Sequence, residues 1–232
     1  MPIQSAIKNL HSALPENVTL VAVSKTKPVS DILEAYNAGQ RVFGENKVQE
    51  MCEKQPQLPN DIKWHLIGHL QTNKVKYMAH FVELIHGVDS LKLLKEIDKQ
   101  AKKHNRTIDC LLQIYIAEEE TKFGLSEDEF VEIINSDEFK KLENIKIVGL
   151  MGMATYTEID DQIRKEFTHL KSIFDKYKHL NTANYQLTTL SMGMSGDYQI
   201  AIDCGSTMVR IGSSIFGSRS PLASKGGNVQ SL

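Results

Sequence analysis

Apolar and polar positions along this chain follow two rhythms that alternate from end to end. Residues 19–24 form a short, nearly continuous apolar run, as expected for a strand buried on both faces. Similar runs at 41–44, 63–68, 81–86, 108–116, 145–150, 185–190 and 207–211 predict seven more strands. Between them, apolar residues recur at helical spacing. Pro28 and Ser30 open a helix over 31–38 that Gly39 ends. Further helices are predicted over 46–54 and 73–80. Asp89 and Ser90 suit the cap of a helix running to about His104. Its Leu91, Leu94, Ile97 and Ala101 form a stripe with Asp98 as the one polar interruption. Ser126 and Glu129 have capping-box spacing, and Phe130, Ile133 and Ile134 continue that helix's apolar face. Ile163, Phe167, Leu170 and Phe174 line one side of a long helix over 160–177. Ser195 can cap a last helix through Ile202. Ile3, Ile7 and Leu10 mark an extra amphipathic helix before the first strand.

Eight strands alternating with helices in one chain point to an α/β fold, a single (β/α)8 TIM-type barrel. A doubly wound open sheet is the competing arrangement, since counting does not separate the two. No linker interrupts the pattern, so residues 1–232 read as one domain. Its tail, about 220–232, is Ser/Gly-rich and expected to fray.

Composition narrows the function. The 232 residues carry 27 Lys+Arg against 29 Asp+Glu, a net charge of −2. A general nucleic-acid binder would show a basic excess. With 41% hydrophobic residues, disorder is excluded too. Cys52, Cys110 and Cys204 are few, odd in number and scattered, which fits reduced thiols in a cytoplasmic protein rather than a disulfide framework or a zinc site. The start has no basic segment followed by an apolar run, and no run approaches membrane-helix length, so neither secretion nor a membrane role is indicated.

In a barrel, chemistry belongs at the C-terminal ends of the strands. There the seventh strand is followed by Ser191, Met192, Gly193, Met194, Ser195 and Gly196, feeding a helix, and the eighth by Gly212, Ser213 and Ser214. Backbone N–H groups at helix starts attract anions, and barrels often hold phosphate between these two loops. Singly, each loop could merely turn the chain; side by side they point to phosphate. Closure would bring the first strand beside the eighth, placing Lys25 next to that site. A lysine among apolar neighbours loses its proton more readily, and a neutral amine can form a Schiff base. Lys27 is the internal competitor, but it precedes Pro28 and lies further into the loop, which favours Lys25. His65 and His69 have metal spacing only on a helix and here fall on a strand and its turn. Lys122, in an acidic cluster after the fifth strand, reads as a solvated charge that could assist ligand entry.

Several segments together resemble a known family. They are Val21-Ala22-Val23-Ser24-Lys25-Thr26-Lys27-Pro28, Phe43-Gly44-Glu45-Asn46 and the stretch from Trp64 to Lys74. Leu190-Ser191-Met192-Gly193-Met194-Ser195 and the stretch from Gly205 to Gly217 complete the set. The pattern resembles the YggS/PROSC family of pyridoxal phosphate homeostasis proteins, from Val21 to Arg219. The resemblance implies a barrel of the alanine racemase N-terminal type carrying pyridoxal 5'-phosphate (PLP) covalently on Lys25, as a Schiff base. It implies that Ser191, Met192, Ser195, Gly212 and Ser213 line the phosphate end. Arg210 would face the pyridine nitrogen, and Asn46 would lie near the ring or the lysine. A permanently protonated arginine there would keep that nitrogen unprotonated, restraining carbanion chemistry.

Two functions follow from the resemblance. One is a PLP-binding protein of vitamin B6 homeostasis that holds the cofactor and hands it to PLP-dependent apo-enzymes. The other is an amino-acid racemase. Two-base racemisation needs an acid/base group on each face of the substrate Cα. In alanine racemases the opposing tyrosine comes from an additional domain, for which this chain has no counterpart. Tyr156, after the sixth strand, is the one candidate replacement. The binding role is favoured, and with it a monomer. A phosphosugar enzyme would share the phosphate loops. It would need a pair of carboxylates at strand ends, where only Glu45 and the run at 118–120 are near.

Overall fold

The unbroken apolar runs do form strands, and the strands close on themselves. A computed structural model of the chain describes residues 2–119 and 123–217. It contains β1 (Thr19–Val23), β2 (Val42–Glu45), β3 (Lys63–Leu66), β4 (Leu84–Val88), β5 (Ile108–Gln113) and β6 (Ile145–Met151). A two-residue strand β7 (Asn181–Thr182) precedes β8 (Tyr185–Met194) and β9 (Met208–Ile211). Parallel pairing runs from β1 to β6; β6 pairs with β8, β8 with β9 and β9 with β1. That closure makes an eight-stranded (β/α)8 barrel and excludes the open sheet. β7 is an unanticipated antiparallel hairpin partner at the start of β8.

The helices are α1 (Ile3–Ala13), α2 (Val29–Asn37), α3 (Val48–Lys54), α4 (Val75–Met78) and α5 (Leu91–Lys103). They continue with α6 (Glu127–Asn135), α7 (Asp137–Lys140), α8 (Asp160–Tyr177), α9 (Tyr198–Asp203) and α10 (Ser213–Phe216). α1 is the expected extra helix, and it packs on α2 and α10. Ser126 and Glu129 close the capping box of α6 as the spacing predicts, a device worth about 1 kcal/mol.

Alternation along the strands sorts side chains into two cores. Leu20 and Ala22 face the helices, whereas Val21 joins Leu84, Leu111, Met151 and Met208 inside the barrel. The outer core carries most of the apolar burial, with Phe43, Phe130 and Phe167 fully enclosed. Each such side chain contributes about 1.5–3 kcal/mol. No helix of the described residues is long and apolar enough to cross a membrane.

Several boundaries differ from the sequence pattern, among them β5, which ends at Gln113 rather than 116. β4 starts at Leu84, not 81, because Phe81 and Val82 donate their N–H groups back to Met78 O and close the end of α4. Arg106 caps the same turn at Ala79 O and Val82 O. β8 runs on to Met194, so Ser191, Met192 and Gly193 are strand rather than loop: Ser191 and Met194 pair with β9, and Met192 and Gly193 lie in the register shift between them. Ser195 does not cap the next helix: α9 begins at Tyr198, and Ser195 Oγ instead accepts the Gly212 N–H at 3.2 Å. Gly193 permits this course. Its φ is +97°, and a Cβ there would lie 2.6 Å from Ala201 Cβ on α9. The expected frayed tail and Lys122 lie outside the described residues.

Candidate functional site

A cavity of about 700 Å³ opens at the C-terminal ends of the strands, within the range of small-ligand sites. Six of the eight residues singled out from sequence line it: Lys25, Asn46, Ser195, Arg210, Gly212 and Ser213. They come from the ends of β1, β2, β8 and β9, which pairing brings side by side. The other two, Ser191 and Met192, are fully buried in β8 and do not line the cavity. Ser191 acts one step behind it, through Arg210. Met192 belongs to the outer core, and its carbonyl accepts a hydrogen bond from Ser206 Oγ.

Lys25 stands on a tight turn in which the Lys27 N–H returns to Ser24 O. Strand alternation points Ser24 outward, where it is fully buried, and Lys25 toward the cavity. Lys27 also borders the cavity, but its Nζ donates to Phe216 O at 2.7 Å and to Gly217 O. Lys27 is thus engaged in capping the end of α10.

Arg210 is 4% exposed and anchored from behind. Its Nη1 donates to Ser191 Oγ at 2.6 Å and its Nη2 to Gly152 O at 3.1 Å. Burial lowers its pKa to about 10, opposed by the nearby Asp197 carboxylate, so it stays protonated at neutral pH. Behind Ser191 lies His86, whose Nδ1 is 3.2 Å from Ser191 Oγ, and behind that His65, 3.0 Å away. Burial depresses both imidazoles, His65 to about 3. A neutral imidazole pair fits the contact, since one ring must donate and the other accept.

Just beyond Arg210, at the ends of β8 and β9, Ser195, Gly196, Gly212 and Ser213 form a cradle of hydroxyls and small residues. A Cβ on Gly212 would approach Val23 O to 3.2 Å, so glycine keeps the backbone close to β1. This donor set, a lysine and a buried arginine fit an aldehyde-bearing phosphate ester of PLP's size. Asp197 also borders the cavity, held by the Met194 N–H, with its carboxyl pushed up by burial.

Gln113, Met194 and Phe123 line the cavity as well and are not among the residues singled out as ligand contacts. Gln113 was detectable as a lone polar residue inside an apolar strand; its Nε2 donates to Phe123 O. His69, noted only as a turn histidine, borders the cavity, 3.5 Å from Asp89 and stacked near Phe123. Tyr156, the candidate opposing base, is 92% exposed at the rim.

Fold and cavity together define a barrel protein with an open cavity at the strand ends, beside a lysine that follows the first strand. Residues 2–220 match the family described as "Alanine racemase, N-terminal domain". The pyridoxal phosphate homeostasis protein of Aquifex aeolicus is 42% identical over 201 residues, 86% of each chain. That of Pasteurella multocida is 39% identical over 223 residues, 94% of this chain and 93% of its own. PipY of Synechococcus elongatus, solved with PLP bound, superposes with a TM-score of 0.84 at 35% identity. That match covers 93% of this chain and all of PipY. The chain belongs to the alanine racemase N-terminal domain family and, within it, to the YggS/PROSC pyridoxal phosphate homeostasis proteins.

Proposed function

We propose that this chain binds pyridoxal 5'-phosphate in the strand-end cavity, holds it as a Schiff base on Lys25, and serves PLP homeostasis by delivering it to apo-enzymes. One observation carries the reading: Lys25, Arg210 and the Ser195/Gly212/Ser213 cradle, distant in sequence, line the same cavity. The PLP-bound structure of PipY supports it.

In this reading the bound cofactor supplies an aldehyde for reversible capture by an amine. Lys25, at the cavity wall, would supply that amine. Ser195 and Ser213 hydroxyls and the backbone around Gly212 would hold the cofactor's phosphate. Arg210, fixed by Ser191 and Gly152, would present its positive charge to the ring nitrogen and so would keep that nitrogen unprotonated. Asn46 borders the ring and lysine side. Ser191 contributes by holding Arg210, and Met192 by packing the wall behind it.

Tyr156 is exposed at the rim, so no buried phenol opposes Lys25 from that position. Storage and transfer therefore account for the site better than racemisation. In this reading the protein works as a monomer in the cytoplasm; the free Cys52, Cys110 and Cys204 support the reducing compartment. Titration with PLP, followed by visible absorbance, tests the proposal. A yellow species forming with wild type, not with K25A, and far more weakly with pyridoxal lacking phosphate is expected. Equal binding of both vitamers would overturn the phosphate cradle.

A further inference from the structure

Beneath the Lys25 turn, on the side away from the cavity, lies a buried charge cluster that ligand binding does not use. Lys54, at the end of α3, is 7% exposed, and Glu45, at the end of β2, is fully buried. Lys54 Nζ donates to Glu45 Oε1 at 2.8 Å, to Glu50 Oε1 at 2.7 Å and to the Ser24 carbonyl at 2.9 Å. Ser24 Oγ donates to Glu45 Oε1 at 2.7 Å. The Thr26 N–H donates to Glu50 Oε1 at 2.6 Å. The two residues flanking Lys25 are therefore gripped by one cluster, Ser24 through its carbonyl and hydroxyl, Thr26 through its amide.

The grip has a task. Thr26 has φ of 64°, in the left-handed region, which a β-branched residue enters only under constraint. Burying a lysine–carboxylate pair is itself costly, and apolar packing often serves stability as well or better. Glu45 Oε2, moreover, is buried with no hydrogen-bond partner among the described residues. A pair with that cost and this connectivity is explained by what it holds in place.

We propose that Lys54, clamped between Glu45 and Glu50, is a positioning residue that fixes the strained Ser24–Thr26 turn and so aims the Lys25 amine into the cavity. The inference rests on the reading of Lys25 as the cofactor lysine. It adds that Lys25 is selected over Lys27 by a turn preset before ligand arrives. A misplacement of about 1 Å can cost on the order of 100-fold in a reaction that depends on orientation, so the effect is measurable.

The test uses the full chain with K54M, K54R, E50Q and the neutralised pair E45Q/K54M, the last guarding against a misfolded single variant. Two readouts are taken. Amide exchange at Thr26, measured without PLP, reports the turn itself. Borohydride trapping with PLP, followed by peptide mapping, reports the rate and the share of adduct on Lys25 and Lys27. Expected are Thr26 exchange at least about tenfold faster in K54M and E45Q/K54M, slower trapping on Lys25, and a rising share on Lys27. K54R should restore both readouts, and E50Q should fall between. Unchanged Thr26 exchange and unchanged trapping in K54M or in the double variant would overturn the positioning role. Loss of melting temperature with trapping still confined to Lys25 at the wild-type rate would show a structural role only, and also overturn it. Wild-type adduct on another residue would overturn the Lys25 reading, while Thr26 exchange still decides whether the cluster holds the turn.

Discussion

Acid should unfold this protein through the histidine pair at the heart of the barrel. His65 and His86 are buried and touch at 3.0 Å, with Ser191 and then Arg210 continuing the chain. Burial lowers both pKa values in the folded state, His65 to about 3. Unfolded, each histidine returns to about 6.5. Above that pH both states are neutral and the pair adds no pH dependence. Below it the unfolded chain takes up protons that the native barrel refuses, so stability falls with falling pH. The loss continues down to the folded pKa. Each pH unit costs about 1.36 kcal/mol per histidine. Over the one and a half units from about pH 6.5 to pH 5, His65 alone removes about 2 kcal/mol. His86 adds in the same direction. Urea unfolding from about pH 7.5 to pH 5 measures this, with H65Q as the comparison. Carboxylates elsewhere titrate equally in both proteins and cancel. The wild-type curve should fall more steeply than that of H65Q by about 2 kcal/mol over the interval. Parallel curves would refute the claim that His65 is buried and neutral.

Other consequences follow from single contacts. Gly193→Ala should destabilise by more than about 1 kcal/mol, because the new Cβ meets Ala201 at 2.6 Å and the φ is +97°. Gly196→Ala, where nothing lies within 4 Å, should leave the urea midpoint nearly unchanged. Ser191→Ala removes the acceptor of a buried Arg210 N–H and should cost about 1–3 kcal/mol by urea unfolding. It should also shift the visible spectrum with PLP, as no remote packing defect would. Lys27→Met loses the cap on Phe216 and Gly217, worth about 1 kcal/mol, and should still form the coloured adduct.

Strand positions were legible because both faces of a barrel strand meet apolar surroundings, which leaves an unbroken apolar run. Val21 inside and Leu20 and Ala22 outside show it in β1. The site was legible where a local pattern carried it: a lysine at a strand tip, and serines and glycines after late strands. The failures share a physical cause. Ser191, Met192 and Gly193 look like a turn, but pairing of Ser191 with β6 and β9 and of Met194 with β9, which sequence spacing does not display, draws them into β8. Phe81 and Val82 look like strand, but close a helix end while still packing inward. Lys54 and Glu45 are nine residues apart, and their grip on Ser24 spans three separate segments. The His65–His86 contact likewise joins two strands through their shared interior. Interactions of this kind depend on which strands and helices pack side by side, and composition gives no hint of them.

The most direct measurement reduces the protein with borohydride in the presence of PLP and maps the modified peptide. The expected result is a single phosphopyridoxyl group on Lys25, abolished in K25A and retained in K27M. An adduct on Lys27 or on surface lysines, or none at all, would contradict the assignment of this cavity as the PLP site.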